Sequence, residues 1–329
     1  MAHGIYTDRD FQVAEVKAWH GLTRIAKPTI QHFPKIVPLP LYYNGGKEMM
    51  FGDKKFVVPV AEDDMLPVAP PYCDGTYTLF TPREAWEWVS GLLTGTEYNI
   101  QSVGMLWNRS FWFMSTELTE LKNLSIGDGR DVKFQLNFSG GLDRKVSPQA
   151  ELSSIVAVCH NTINLSRTTG EVLFNERATK NFKTRLEAVK SEVGKAVGMT
   201  AVFKAAMDNL AKNPCDQGKA RAIFAGYVTP DGEDKMSTRT QKAVKELVDL
   251  HLVGLGNRGE TEFDLLNAYT QHLTHGGAES KVPAGRRFAS SEFGNGADSK
   301  ADFVKVLTTE RLIWFDDILF RGEKLLAAI

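Results

Sequence analysis

Eight of the chain's thirteen prolines (Pro28, Pro34, Pro38, Pro40, Pro59, Pro67, Pro70 and Pro71) fall between residues 26 and 71. No other feature limits the fold as strongly. A proline ring fixes φ and removes a backbone donor, so no long helix can run through this segment. Extended pieces joined by turns such as Asn44-Gly45-Gly46 remain. Residues 1–72 are therefore expected to form an extended arm or meander.

The pattern changes at "TPREAWEWVSGLLTG". Thr81 is placed to cap a helix, Pro82 suits its first position and Glu84 completes a capping box. Ala85, Trp86, Val89, Leu92 and Leu93 then share one face, with Gly95 as a stop. Two β-rich runs follow in "YNIQSVGMLWNRSFWFMSTEL", read as a hairpin that turns at Asn108-Arg109. "VKFQLNFSGG" alternates Val132, Phe134, Leu136 and Phe138 with polar residues, which predicts a half-buried strand ending at Gly140-Gly141. The apolar block Ile155–Cys159 suits either a buried strand or the start of a buried helix.

Beyond Phe174 apolar residues recur at three- and four-residue steps through to Ile329, a helical period. The expected class is α+β: a small antiparallel sheet, made of the hairpin and further strands, with a long basic helix and then a mainly helical C-terminal half. The core should span 73–196. Residues 197–329 either continue that domain or fold as a separate helical one.

Composition excludes little beyond this. Lys and Arg number 39 and Asp and Glu 40, so a net charge of −1 favours no polyanionic partner by itself. No stretch reaches the about 20 apolar residues of a membrane span, and "MAHGIYTDRDFQ" has no apolar signal region. No membrane association and a cytoplasmic location, in a bacterial host, are expected. Cys73, Cys159 and Cys215 are widely spaced without a CxxC pair, which fits reduced thiols and no structural zinc.

"AVCHNTINLSR" (157–167) sets Cys159 beside His160 and Asn161, the residue types of a thiol protease. Neighbouring residues point to opposite faces of a strand and about 100° apart on a helix, so Cys159 and His160 cannot pair as nucleophile and base. Cys159 reads instead as a packed small hydrophobe, with Asn161 and Thr162 capping the following turn. "GLGNRG" and "FGNGAD" lack the phosphate-loop spacing and show no strand-to-helix setting. His272 and His275 lie at i and i+3, a spacing for two metal ligands, but no third is evident. No catalytic residue, metal or cofactor is expected.

Local charge is more informative. Residues 176–195 hold six basic residues against three acidic, 130–147 hold four against two, and 59–97 hold seven acidic residues with one arginine. The hairpin beside the basic strand carries Trp107, Arg109, Phe111 and Trp112. A positive groove with aromatic platforms suits single-stranded nucleic acid, because phosphates need cations and every base has a stackable face. The other reading keeps these aromatics in the core and the charges as ordinary helix solvation. On the first reading the binding residues are Arg109, Trp112, Arg130, Lys133, Arg144, Lys145, Lys180, Lys183 and Arg185.

Four segments in order carry a family likeness: "MAHGI" with Trp19-His20-Gly21-Leu22, the Cys159–Thr162 signature, "LLNAYTQHLTH" and "RRFASSEFGNGADSK". Together they resemble the phage/plasmid-like uncharacterised proteins of bacteriophages and conjugative plasmids. The chain departs from that pattern at Val156, where an arginine is usual, and at Asn175-Glu176-Arg177, where a histidine is usual. No role is carried to those positions. The element order over 98–196 also resembles the core of single-strand annealing proteins, which act as rings or filaments and hydrolyse no nucleotide. That resemblance implies a mobile-element protein of recombination or replication that binds single-stranded DNA as a homo-oligomer and anneals it. The alternatives are a protein-interaction factor acting on a host target and, third, a metal-dependent hydrolase using His272 and His275.

Overall fold

The computed structural model describes residues 29–43, 47–75, 77–94, 98–106, 109–118, 124–127, 129–156, 162–164, 167–168, 173–175, 177–179, 181, 182, 184, 186, 193–275, 290–291 and 295–328. The class is α+β, with antiparallel sheets and, among the described residues, seven helices. The chain divides into two compact units. The first comprises Met1–Leu121, Gln135–Leu152 and Val172–Val197, and the second Lys122–Phe134, Ser153–Glu171 and Gly198–Ile329.

In the first unit the proline-rich segment is a meander. β1 (Ile36–Pro40) pairs antiparallel with β5 (Lys54–Ala61), and short strands β2 (Tyr42–Tyr43), β3 (Lys47–Glu48), β4 (Met50–Phe51) and β6 (Tyr72–Cys73) complete it. The prolines fit because of register. Glu62 N donates to Lys35 O and Leu41 N to Phe56 O, so Val37↔Val60 and Leu39↔Val58 are the hydrogen-bonded pairs between them. Pro38 and Pro59 face each other at an intervening position, where the β1–β5 ladder needs no N–H.

α1 (Pro82–Leu92) starts as its sequence predicts. Glu84 N donates to Thr81 Oγ1 at 3.2 Å and Thr81 N donates to Glu84 Oε2 at 2.9 Å, a reciprocal capping box. Ala85, Val89 and Leu93 are its buried stripe. Beyond it, β7 (Tyr98–Leu106) and β8 (Phe111–Leu118) form the expected hairpin, and β10 (Asp131–Gly141) pairs with β8. β10 ends at Gly141 as read, yet it is not half-buried: Gln135, Asn137 and Ser139 on its polar face are as buried as Phe134, Leu136 and Phe138. Trp88 of α1 packs edge-on against Phe138, with ring centroids 5.8 Å apart.

β11 (Gln149–Val156) passes from the first unit to the second. Its start pairs with β13 (Phe174–Asn175) and its end with β12 (Thr162–Asn164). Ile155 and Val156 are thus strand, and Thr162 stands opposite Ile155. Residues 157–161, with Cys159 and His160, lie outside the described residues.

The second unit holds β9 (Leu124–Ser125), which pairs with the start of β10, and a helical assembly. α2 (Val193–Lys212) enters it at Gly198. α3 (Gln217–Val228), α4 (Thr238–Val253), α5 (Glu262–His275), α6 (Asn295–Leu307) and α7 (Arg311–Ala327) follow. Asp216 and Ser237 cap α3 and α4, accepting from Lys219 N and Thr240 N. α5 is the central helix, buried continuously from Glu262 to Gln271. α3 and α7 approach until their backbones nearly touch: a Cβ on Gly226 would overlap the Ile318 carbonyl, and one on Gly322 the Ala222 carbonyl.

Candidate nucleic-acid interface

The hairpin turn was the first expected anchor, and its side chains are committed internally. Arg109 has a left-handed backbone (φ 63°) and is only 7% exposed. Its Nη2 donates to Asp64 Oδ2 at 2.7 Å, with Asp63 3.9 Å from Nη1. A buried guanidinium already facing two carboxylates has no phosphate-tracking role. Trp112 is 2% exposed, with Phe80 edge-on at 5.9 Å and Gly140 directly opposite on β10. A Cβ on Gly140 would lie 2.7 Å from the indole, so the glycine leaves the space that the ring fills. Trp112 belongs to the core and offers no face to a base, and Phe111 is equally buried. Trp107 lies outside the described residues.

Arg130 belongs to the second unit and is also spent. Its Nη1 donates to Asp264 Oδ1 at 2.5 Å and to Gly256 O at 2.9 Å, and its guanidinium lies 4.2 Å from the Phe263 ring centroid. "GLGNRG" is the turn that receives this arginine, with Gly256 and Gly259 at positive φ. Asp264 Oδ2 accepts from Glu260 N and Thr261 N at 3.0 Å, and Oδ1 from Arg258 N at 3.2 Å. Burial acts to raise this carboxyl's pKa, but the backbone donors and Arg130 outweigh it and hold the group below its ordinary 3.8.

Two predicted cations remain at the surface. Arg144 and Lys145 sit on the turn after β10, both exposed, Lys145 with 81% of its side chain free. Arg144 has φ 66°, donates to Pro71 O at 3.2 Å and lies 5.9 Å from the Tyr72 ring. Asp143 is 3.7 Å from Lys145 Nζ. Beneath them Tyr77 donates to Gly141 O at 3.2 Å, and burial pushes its hydroxyl up to about 12. Lys133 lies on β10, but its side chain is outside the description, as are Lys180, Lys183 and Arg185 entirely. Of the five predicted residues whose side chains are described, only Arg144 and Lys145 are brought together at the surface.

His272 Nδ1 is 3.6 Å from Glu246 Oε2, and burial keeps the imidazole below its ordinary pKa against the pull of that carboxylate. No group of three His, Cys, Asp or Glu that could hold a metal occurs among the described residues. Burial pushes the Cys215 thiol up to about 12, which suits packing rather than nucleophilic chemistry. No described helix is long and apolar enough to cross a membrane.

Sequence reasoning missed a second basic locus. A pocket of about 520 Å³ within the second unit is lined by Arg221 of α3 and Lys242 and Lys245 of α4. The i, i+3 lysine pair was visible in "QKAVKEL", but nothing in the sequence placed Arg221 across from it.

No curated protein and no solved structure matches the chain. A family profile matches residues 73–301, starting where the proline-rich segment ends and covering strands β7 to β13 and helices α1 to α5. On that match the chain belongs to the family described as Domain of unknown function (DUF932).

Proposed function

We propose that the protein binds single-stranded DNA as a homo-oligomer, and anneals it, in the recombination or replication of a phage or plasmid. The observation that carries this reading is element order: a hairpin (β7–β8), a third strand (β10) and a fourth (β11). Most of the long basic helix expected over 176–195 lies outside the described residues, and α2 begins only at Val193. Support for a phosphate contact rests on Arg144 and Lys145, exposed on the β10–β11 turn, and, from sequence alone, on Lys133 and the basic run at Lys180, Lys183 and Arg185. Stacking on Trp112 and phosphate pairing by Arg109 and Arg130 are withdrawn, because burial removes all three from solvent.

Self-association has its own support. On α7, Leu312 is fully exposed, and Ile313, Trp314 and Phe320 are at least half exposed. Apolar side chains grouped on one helix favour a protein partner. The second reading, an interaction factor for a host protein, draws on the same residues.

The test is binding of a fluorescein-labelled single-stranded oligonucleotide across a salt series. Wild type is compared with Arg144→Gln/Lys145→Gln and with Lys180→Gln/Lys183→Gln/Arg185→Gln. Each lost phosphate contact should remove about 0.7 from the log–log salt slope. Unchanged affinity and slope in both folded variants, or a strict monomer by light scattering with and without oligonucleotide, would sink the proposal in favour of the interaction factor.

A further inference from the structure

The pocket in the helical unit has a shape and charge that the strand-binding proposal does not use. Lys242 and Lys245 lie one turn apart on α4, and Arg221 reaches the same space from α3. Asp249 is the one carboxylate among the described lining residues, whose charged groups leave a balance of two positive charges. Neither Arg221 nor Lys245 forms an ion pair with a described residue, and both are exposed. Below the cations the floor is apolar and buried: Met236 is 6% exposed and Val248 5%. Gln241 adds a polar edge, and its Nε2 donates to Met236 O at 3.1 Å.

We propose that this pocket binds a 5′-phosphorylated nucleotide, either free or at the end of a strand. A phosphate monoester carries about −1.5 to −2 charges at neutral pH, which the cationic balance matches. Inorganic phosphate leaves the apolar floor empty. A cavity of 520 Å³ lies in the range of small-molecule sites, which join an apolar surface to a few placed polar groups. A base and sugar over Met236 and Val248, with the phosphate among Arg221, Lys242 and Lys245, satisfies both parts. The recognition differs from a glycine-rich phosphate loop, since side chains of two helices supply the charge instead of backbone N–H groups. The inference does not rest on the strand-binding proposal and survives that proposal's failure.

Isothermal titration of the full chain with each of the four 2′-deoxynucleoside 5′-monophosphates tests it. At least one should bind more than tenfold tighter than both its nucleoside and inorganic phosphate. Arg221→Gln/Lys245→Gln should weaken it tenfold or more. These positions are solvated helix sites that tolerate glutamine, and a thermal melt checks folding. Thr238→Trp keeps every charge but places an indole at the exposed lining position Thr238, and it should also abolish binding. A 5′-phosphorylated oligonucleotide outcompeting its 5′-hydroxyl twin at the pocket identifies a strand end as the source, failure of both to compete identifies the free nucleotide, and equal competition by both would overturn the proposal, since the hydroxyl strand carries no phosphate monoester. No binding of any monophosphate, inorganic phosphate binding as tightly, or full affinity in both variants would overturn the proposal.

Discussion

Arg130 and Asp264 stand 134 residues apart in the chain and meet in a buried ion pair of 2.5 Å, the arginine 5% exposed and the aspartate not at all. The pair fixes the segment before β10 to the first turn of α5, inside the second unit. It turns an arginine that looks like a phosphate contact into a structural tie. Breaking a buried pair leaves an uncompensated charge and costs about 3 to 5 kcal/mol. Asp264 keeps three backbone donors without the arginine, so Arg130→Met should fall at the low end, about 3 kcal/mol. Asp264→Ala should cost more, because it orphans those N–H groups as well. Urea denaturation of both variants checks the order, and a milder Asp264→Ala would contradict it.

Gly226 should tolerate no side chain. In an exposed helix Gly→Ala gains about 1 kcal/mol. Here the new Cβ would overlap the Ile318 carbonyl, a backbone atom that moves only with the whole of α7. Overpacking of this kind costs about 1 to 3 kcal/mol or more and outweighs the propensity gain. Gly226→Ala should therefore lower the melting temperature. A rise would mean that the two helices separate easily.

Trp112 and Gly140 should behave as one unit. Trp112→Ala removes a buried indole and should cost about 3 to 5 kcal/mol, with no change in the salt dependence of oligonucleotide binding on protein that stays folded. Gly140→Ala should be destabilising in the wild type, and its cost should shrink in a Trp112→Leu background, where the crowded ring is gone. A double-mutant cycle with no coupling would show that the indole sits elsewhere.

Acid should loosen the helical unit through Glu262. Its burial acts to raise the pKa, but hydrogen bonds from Arg311 (2.6 and 2.9 Å), Asn213 (2.9 Å) and Lys219 (3.0 Å) prevail and hold it below its ordinary 4.5. A carboxylate depressed on folding adds stability that is present above 4.5 and is lost as pH falls through its folded value. Asp264, held below 3.8, extends the loss to lower pH. Glu262→Gln should be less stable at neutral pH and show a flatter decline in acid. Parallel pH profiles for the two proteins would refute this assignment.

Local rules were enough for some elements. The capping box at Thr81 and Glu84, the proline-bound meander, the hairpin of 98–118 and the end of β10 at Gly141 are each set by residues within a few positions of one another. Backbone stereochemistry and the spacing of apolar side chains decide them, and both are present in any short window. The α+β class and the helical C-terminal half follow from the same periodicities.

Charge and aromatic content could not be read in that way. Arg109 is a surface cation or a buried one according to whether Asp64 lies beside it, and Trp112 is a platform or a core ring according to whether Phe80 and Gly140 enclose it. Those partners lie 28 to 45 residues away and the partner of Arg130 134 away, so only the packed chain brings them together. A side chain's type and a run's net charge are properties of the sequence. Its exposure depends on desolvation by distant residues, and tertiary structure alone left Arg144 and Lys145 in water, buried Arg109, Trp112 and Arg130, and set Arg221 over the same pocket as Lys242 and Lys245.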